Sequence, residues 1–273
     1  MKLTFLIITC TCILFSCNMK KETDKNSNVQ ANDSTLYNNP EANSNEDEYY
    51  SEFYEAYFSN YSFEGINVFQ PMAYNESDYS KQLFHIMDTI VGLFQSGNRY
   101  QLKKCWIVKV NLFENECTES TMIEPTLNTR EQCLYLFRGL NKHKNGILDT
   151  VPANIVLPVG EQKDFVFNNV TYNLKAEGKV TGEDRGSWDH IKNYKLYLTS
   201  DGKTQCITEM PTFKDTVTTI TFIGDMDGDG KPDFIIDSPD WYEDYRILLL
   251  LSSFAEEGDF VKLVSITVDS FAC

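Results

Sequence analysis

The residues best placed to do chemistry are Asp225, Asp227, Asp229 and Asp233, four carboxylates in the stretch Asp225-Met-Asp-Gly-Asp-Gly-Lys-Pro-Asp233. Calcium is a hard cation that seeks roughly six to eight oxygens. Carboxylates at loop positions 1, 3, 5 and 9, with a backbone carbonyl at 7, wrap one ion when a glycine at position 6 allows the sharp turn. Here those positions are Asp225, Asp227, Asp229 and Asp233, the Lys231 carbonyl, and Gly230. Without a cation the clustered charges repel one another. The expectation is one structural Ca2+ held by Asp225, Asp227, Asp229, Lys231 and Asp233.

The flanks say which elements position the loop. An EF-hand places a helix on either side and a bidentate Glu at position 12, but position 12 here is Ile236. Val217–Ile223 and Phe234–Asp237 are β-branched and aromatic, which predicts strands. With Ile223-Gly224 before it and Phe234-Ile235 after it, the segment resembles the calcium loops of FG-GAP and integrin α-chain β-propeller repeats. That resemblance implies the ion and its ligands. It does not extend to the propeller, which repeats its blade several times around an axis, whereas this chain carries the loop once.

Other chemistry is sparse. The three histidines, His85, His143 and His190, form no HExxH pair, and there is no G-x-S-x-G elbow and no phosphate-binding glycine loop. The strongest remaining cluster is Asp237, Asp240, Trp241, Tyr242, Glu243, Asp244 and Tyr245. Acids among aromatics suit a protein or glycan ligand, and paired acids near 240–244 would suit a glycosidase-like hydrolase. Arg185, Trp188, Asp189 and His190 make a weaker patch of the same kind. With no complete constellation, a binding or structural module is favoured over an enzyme.

The rest of the chain alternates like a sheet. Cys105–Leu112 reads as a strand. Phe165–Phe167 and Val170–Leu174 read as a hairpin about Asn168-Asn169, and Tyr194–Thr199 and Gln205–Thr208 as a second about Asp201-Gly202. Thr216–Ile223, Phe234–Asp237, Arg246–Leu251 and Phe260–Val268 add four more strands. Two segments read as helices instead. Ser77–Ser96 carries Leu83, Met87, Ile90, Val91 and Phe94 at three- and four-residue spacing, and Thr129–Leu140 carries a capping-box register at Thr129 and Gln132. The fold class expected is therefore α+β: mostly an antiparallel β-sheet meander with one or two helices in the N-terminal half, and not a full β-propeller.

The N-terminus adds an address. Lys2 precedes an apolar run, Leu3–Phe15, too short to span a bilayer, and then Leu14-Phe15-Ser16-Cys17. These last residues resemble a bacterial lipobox. The resemblance implies removal of residues 1–16 and a lipid on Cys17, hence an exported protein anchored to the cell envelope, with the outer membrane the expected site. Residues 17–48 are acidic and rich in Asn and Ser, which predicts a solvated tether. Residues 49–98 are expected as a helical segment packed on a β-rich domain, 99–273, with the loop at 225–233. A lipobox, an acidic tether and a single DxDGDGKPD loop together resemble surface lipoproteins of Bacteroidetes.

The formal net charge is −16, which excludes nucleic acid as a natural partner and disfavours anionic headgroups. It also admits an immunity or inhibitor-like role against a basic partner. Of the cysteines after Cys17, namely Cys105, Cys117, Cys133, Cys206 and Cys273, an odd number remains for pairing, and no CxxC suggests redox or zinc chemistry.

Overall fold

Strands buried on one face alternate in polarity, whereas strands buried on both read as continuous apolar runs. Ile247–Leu251 is the clearest run of the second kind in this chain. A computed structural model describes residues 61–63, 65–76, 89–182 and 187–270, all within a unit that spans 44–273.

The strands, in chain order, are β1 (Tyr61–Ser62), β2 (Asn67–Phe69), β3 (Tyr74–Asn75), β4 (Thr89–Ser96), β5 (Arg99–Glu114), β6 (Thr121–Leu127), β7 (Cys133–Arg138), β8 (Gly146–Ile147) and β9 (Ile155–Val156). They continue with β10 (Gln162–Phe167), β11 (Val170–Val180), β12 (Ile191–Ser200), β13 (Lys203–Thr212), β14 (Thr219–Gly224), β15 (Asp233–Asp237), β16 (Asp244–Leu251) and β17 (Lys262–Ser270). The pairings between these strands are antiparallel.

Three sheets result. A central one has the order β1-β17-β16-β15-β14-β9, a second is the meander β10-β11-β12-β13, and a third runs β2-β7-β4-β5-β6-β3 with β8 beside β5. Side chains assign the layers. Phe234, Ile236, Leu248 and Leu250 pack with Leu174, Tyr194, Leu196 and Leu198 of the meander. Their immediate neighbours Ile235, Ile247, Leu249 and Leu251 pack with Val91, Leu93, Leu102, Tyr135 and Phe137 of the third sheet. The central sheet is thus covered on both faces.

The third sheet curls like an open half-barrel, because β2 and β3 at its two ends are joined by a short link. Its concave side holds a further cluster of Phe69, Tyr74, Ile90, Phe94, Cys105 and Ile107. The Tyr74 hydroxyl ties the link, donating to the Gln70 carbonyl at 2.9 Å.

The expected antiparallel β-rich fold is present, and its predicted strands and both hairpins appear in register. The hairpin turns sit on Asn168 (φ 46°) and Asn169 (φ 64°), and on Asp201 (φ 48°) and Gly202 (φ 75°), where the left-handed backbone suits Asn, Asp and Gly.

The two helices expected in the N-terminal half need correction. Residues 89–96 form β4, paired along its length with β5 from Thr89↔Trp106 to Ser96↔Arg99. Residues 77–88, with His85, lie outside the described residues. The three- and four-residue spacing of Ile90, Val91 and Phe94 arises because β4 is buried on both faces. Val91 faces the central sheet, and Ile90 and Phe94 face the half-barrel. Cys133–Arg138 is likewise strand β7, not helix, for the same reason: Tyr135 and Phe137 face one side and Leu136 the other. Thr129 does not cap a helix; its hydroxyl accepts the Glu131 N–H at 3.1 Å in a local turn. The boundary expected at 98/99 falls in the tight turn between β4 and β5. The leader and tether, 1–48, lie outside the described residues.

Burial on two faces has a measurable consequence. Leu248→Ala and Leu249→Ala remove adjacent side chains that face different layers, and each should cost about 2–5 kcal/mol in urea unfolding. A strand with one wet face would show that loss at only one of the two positions.

Candidate metal centre

The acidic loop joins β14 to β15, and the Gly224↔Asp233 pair closes its base. Gly228 (φ 81°) and Gly230 (φ 83°) supply the left-handed turns that fold it back on itself. Gly224 is required for a different reason. A Cβ there would lie 2.7 Å from the Asp149 carbonyl, and the Asp225 N–H donates to that same carbonyl at 3.1 Å.

Within the loop each early carboxylate orders the backbone ahead of it. Asp225 Oδ1 accepts from Gly228 N–H at 2.7 Å, Asp227 Oδ1 from Asp229 N–H at 3.2 Å, and Asp229 Oδ1 from Lys231 N–H at 2.8 Å. The result is convergence: ligand oxygens of Asp225, Asp227 and Asp229 lie within 4.8 Å of one another. Asp225 and Asp227 are buried, at 3% and 4% exposure. Buried carboxylates this close call for a cation, and the three can hold a metal ion.

Asp233, the expected ligand at loop position 9, is not one of the three in that converging group. It is fully buried, and its two oxygens bracket the loop. Oδ2 accepts from the Met226 N–H at 2.7 Å, and Oδ1 accepts from the Ser252 N–H at 2.7 Å and the Ser252 hydroxyl at 2.9 Å. Burial pushes its carboxyl well above the ordinary range and the neighbouring Asp227 charge pushes it further, while the Ser252 and Met226 donors pull it back. Lys231 directs its N–H at Asp229.

Several residues around the loop were not legible in the sequence. Lys144 donates its N–H to the Met226 carbonyl at 2.7 Å, and its ammonium bonds Asp149 and reaches Asp225 Oδ2 at 3.5 Å. The hydrogen bond that the ammonium donates to Asp149 is the main reason the Lys144 pKa is raised. Ser253 N–H reaches Asp227 at 3.3 Å, and Asn168 at the β10–β11 turn donates to the Gly230 carbonyl at 2.7 Å. These groups come from segments remote in sequence, and only the Ser252-Ser253 break after an apolar run left a local signal.

The two aromatic and acidic patches meet at Lys214-Asp215. Asp189 accepts the Asp215 N–H at 2.6 Å. On the other side the Lys214 N–H bonds the Asp240 carbonyl, and the Tyr242 N–H bonds the Lys214 carbonyl. Trp188 packs into the core against Tyr194 and Phe213, whereas Trp241 and Tyr242 are 37% and 53% exposed. Arg185 lies outside the described residues. Asp244 hydrogen bonds the buried Asp240, and its carboxyl is raised to about 6, mainly by burial. A pocket of about 440 Å³ lies elsewhere, lined by Gln95, Asn98, Tyr100 and 150–154.

Cys117 is disulfide-bonded. Cys105 and Cys133 are free thiols, raised to about 11 and about 12 by burial, which makes them poor nucleophiles.

Comparison of the chain with protein-family models, with curated proteins and with solved structures gave no match.

Asp237, at the far end of β15, gives a pH test. Burial raises its carboxyl to about 6 against one opposing donor, the Arg246 N–H, and its Oδ1 has no hydrogen-bond partner among the described residues. The folded state therefore holds this proton more tightly than the unfolded chain. The associated stability is present below about pH 4 and is lost as pH rises to about 6. Asp237→Asn should exceed the wild type above pH 6 by about 1–3 kcal/mol, with the advantage vanishing near pH 4 in denaturant titrations.

Proposed function

We propose that this chain is an exported, lipid-anchored protein of the cell envelope whose β-rich domain is clamped by one structural calcium ion and serves as a binding or structural module. The observation that carries the reading is the convergence of Asp225, Asp227 and Asp229 within 4.8 Å on a loop between two strands of the central sheet. The donors are oxygens, with no histidine or thiol in the group, which favours a hard cation over zinc or copper. The surroundings favour a clamp over a catalyst. The loop is tied to the segment at 144–149, to the turn after β16 and to the tip of the β10–β11 hairpin. An ion there joins pieces of chain that the sheets alone leave separate.

The anchor rests on the sequence of residues 1–17, with its lipobox-like Leu14-Phe15-Ser16-Cys17. Among the described residues no helix is long and apolar enough to cross a membrane. The exposed Trp241 and Tyr242 beside Asp189, Asp215 and Glu243 are the surface best suited to a protein or glycan ligand, since aromatic faces and carboxylates together grip polar partners with apolar faces.

At an extracellular-type dissociation constant of about 10⁻⁴ to 10⁻³ M, 1 mM calcium stabilises the fold by roughly 0.4–1.4 kcal/mol. The melting temperature of the full chain should therefore rise by about 1–6 °C on adding calcium and fall back with chelator. The rise should be absent in Asp229→Ala; equal melts with and without calcium in the wild type would exclude the clamp. For the anchor, cells fed labelled palmitate should label the wild type and leave Cys17→Ser unlabelled.

A further inference from the structure

We propose that Lys144 is a built-in competitor of the metal ion. Its ammonium stands at Asp225 where a cation belongs, and so sets the concentration of free calcium at which the loop fills. The inference rests on the calcium reading above and goes beyond it by naming what tunes the site.

Lys144 is not a passing surface lysine. Its backbone is pinned to the loop by the 2.7 Å bond from its N–H to the Met226 carbonyl. Its side chain is 31% exposed and reaches a carboxylate that is only 4% exposed. The ammonium is shared between Asp225, at 3.5 Å, and Asp149, whose side chain is 64% exposed. Asp225 is loop position 1, a direct ligand in the calcium reading. An ion on Asp225 would sit beside the ammonium, and charges of one sign at such range in a partly buried site repel by well more than thermal energy.

Asp149 resolves the conflict. With the ion bound, the ammonium keeps its partner at Asp149 and gives up Asp225; without the ion, it neutralises part of the acidic cluster and keeps the loop folded. The site therefore has two cationic occupants of different charge competing for one carboxylate. Affinity is lower than the converging carboxylates would give alone, and the empty loop avoids collapse by repulsion. A site so weakened fills at high free calcium, which is the condition outside a cell.

The test is a calorimetric titration of the full chain with calcium chloride, comparing the wild type with Lys144→Met, Lys144→Gln and Asp149→Asn. The wild type should bind one ion. Both Lys144 variants should bind about tenfold more tightly, a difference of about 1.4 kcal/mol, and Asp149→Asn should bind more weakly because the ammonium loses its second partner. The two Lys144 variants remove the same charge with side chains of different polarity, so agreement between them separates charge from packing. Wild-type binding with unchanged or weaker affinity in both Lys144 variants would overturn the competitor role and leave the calcium site standing. A wild type that takes up no calcium would overturn the site itself.

Discussion

Much of this structure depends on the carboxylate of Asp233, buried at the point where the acidic loop becomes a central strand. A carboxylate with no access to water must find its partners in the protein. Asp233 finds the Met226 N–H on one oxygen and the backbone and hydroxyl of Ser252 on the other. The first bond closes the loop onto its own base. The second ties the residue after β16 to the base of the loop. Loop and central sheet therefore share one anchor. The side chain of Met226, held in the loop by that anchor, is fully buried in the cluster between the central and third sheets.

An ion at the same site would be coupled to folding as a whole. Asp227 raises the cost of charge on Asp233, so electrostatic stress in the loop is transmitted into the core. A cation bound by Asp225, Asp227 and Asp229 would relieve that stress. It would also brace the loop against the Lys144 N–H and Asn168, which belong to segments packed on opposite faces of the central sheet, while the Lys144 ammonium gives up Asp225. A single loop then acts on both layers, through hydrogen bonds that are individually modest but span parts of the chain far apart in sequence.

What the sequence disclosed follows from the range of each interaction. The loop, its glycines and its strand flanks are local, and the spacing of Asp225 to Asp233 was readable without the fold. The hairpins at Asn168-Asn169 and Asp201-Gly202 were readable for the same reason, since the residue at the turn decides the turn. The helices expected at Ser77–Ser96 and Thr129–Leu140 failed over 89–96 and 133–138 because periodicity reports the number of buried faces as well as the geometry of the chain. Strands β4 and β7 are buried on both sides, so consecutive apolar residues such as Ile90-Val91 imitate part of a helical stripe. The β-branched pair and the Gly97-Asn98 turn were the signals for a strand, and they were outweighed by spacing.

Lys144 and Asp149 were beyond sequence reasoning for a different reason. A basic residue near an acidic cluster carries no signature when the chain between them is folded into seven strands. Their placement nevertheless bears on function more than any motif outside the loop. A calcium loop supported only by its own residues would bind according to its ligand count. Here the three converging carboxylates are embedded among an ammonium, a bracing serine and a buried fourth carboxylate, so the affinity for an ion would belong to the domain and not to the nine residues. That is the expected design for a clamp. Under the calcium proposal, an ion held weakly enough to exchange in a calcium-rich medium would stabilise the joining of segments that belong to different sheets.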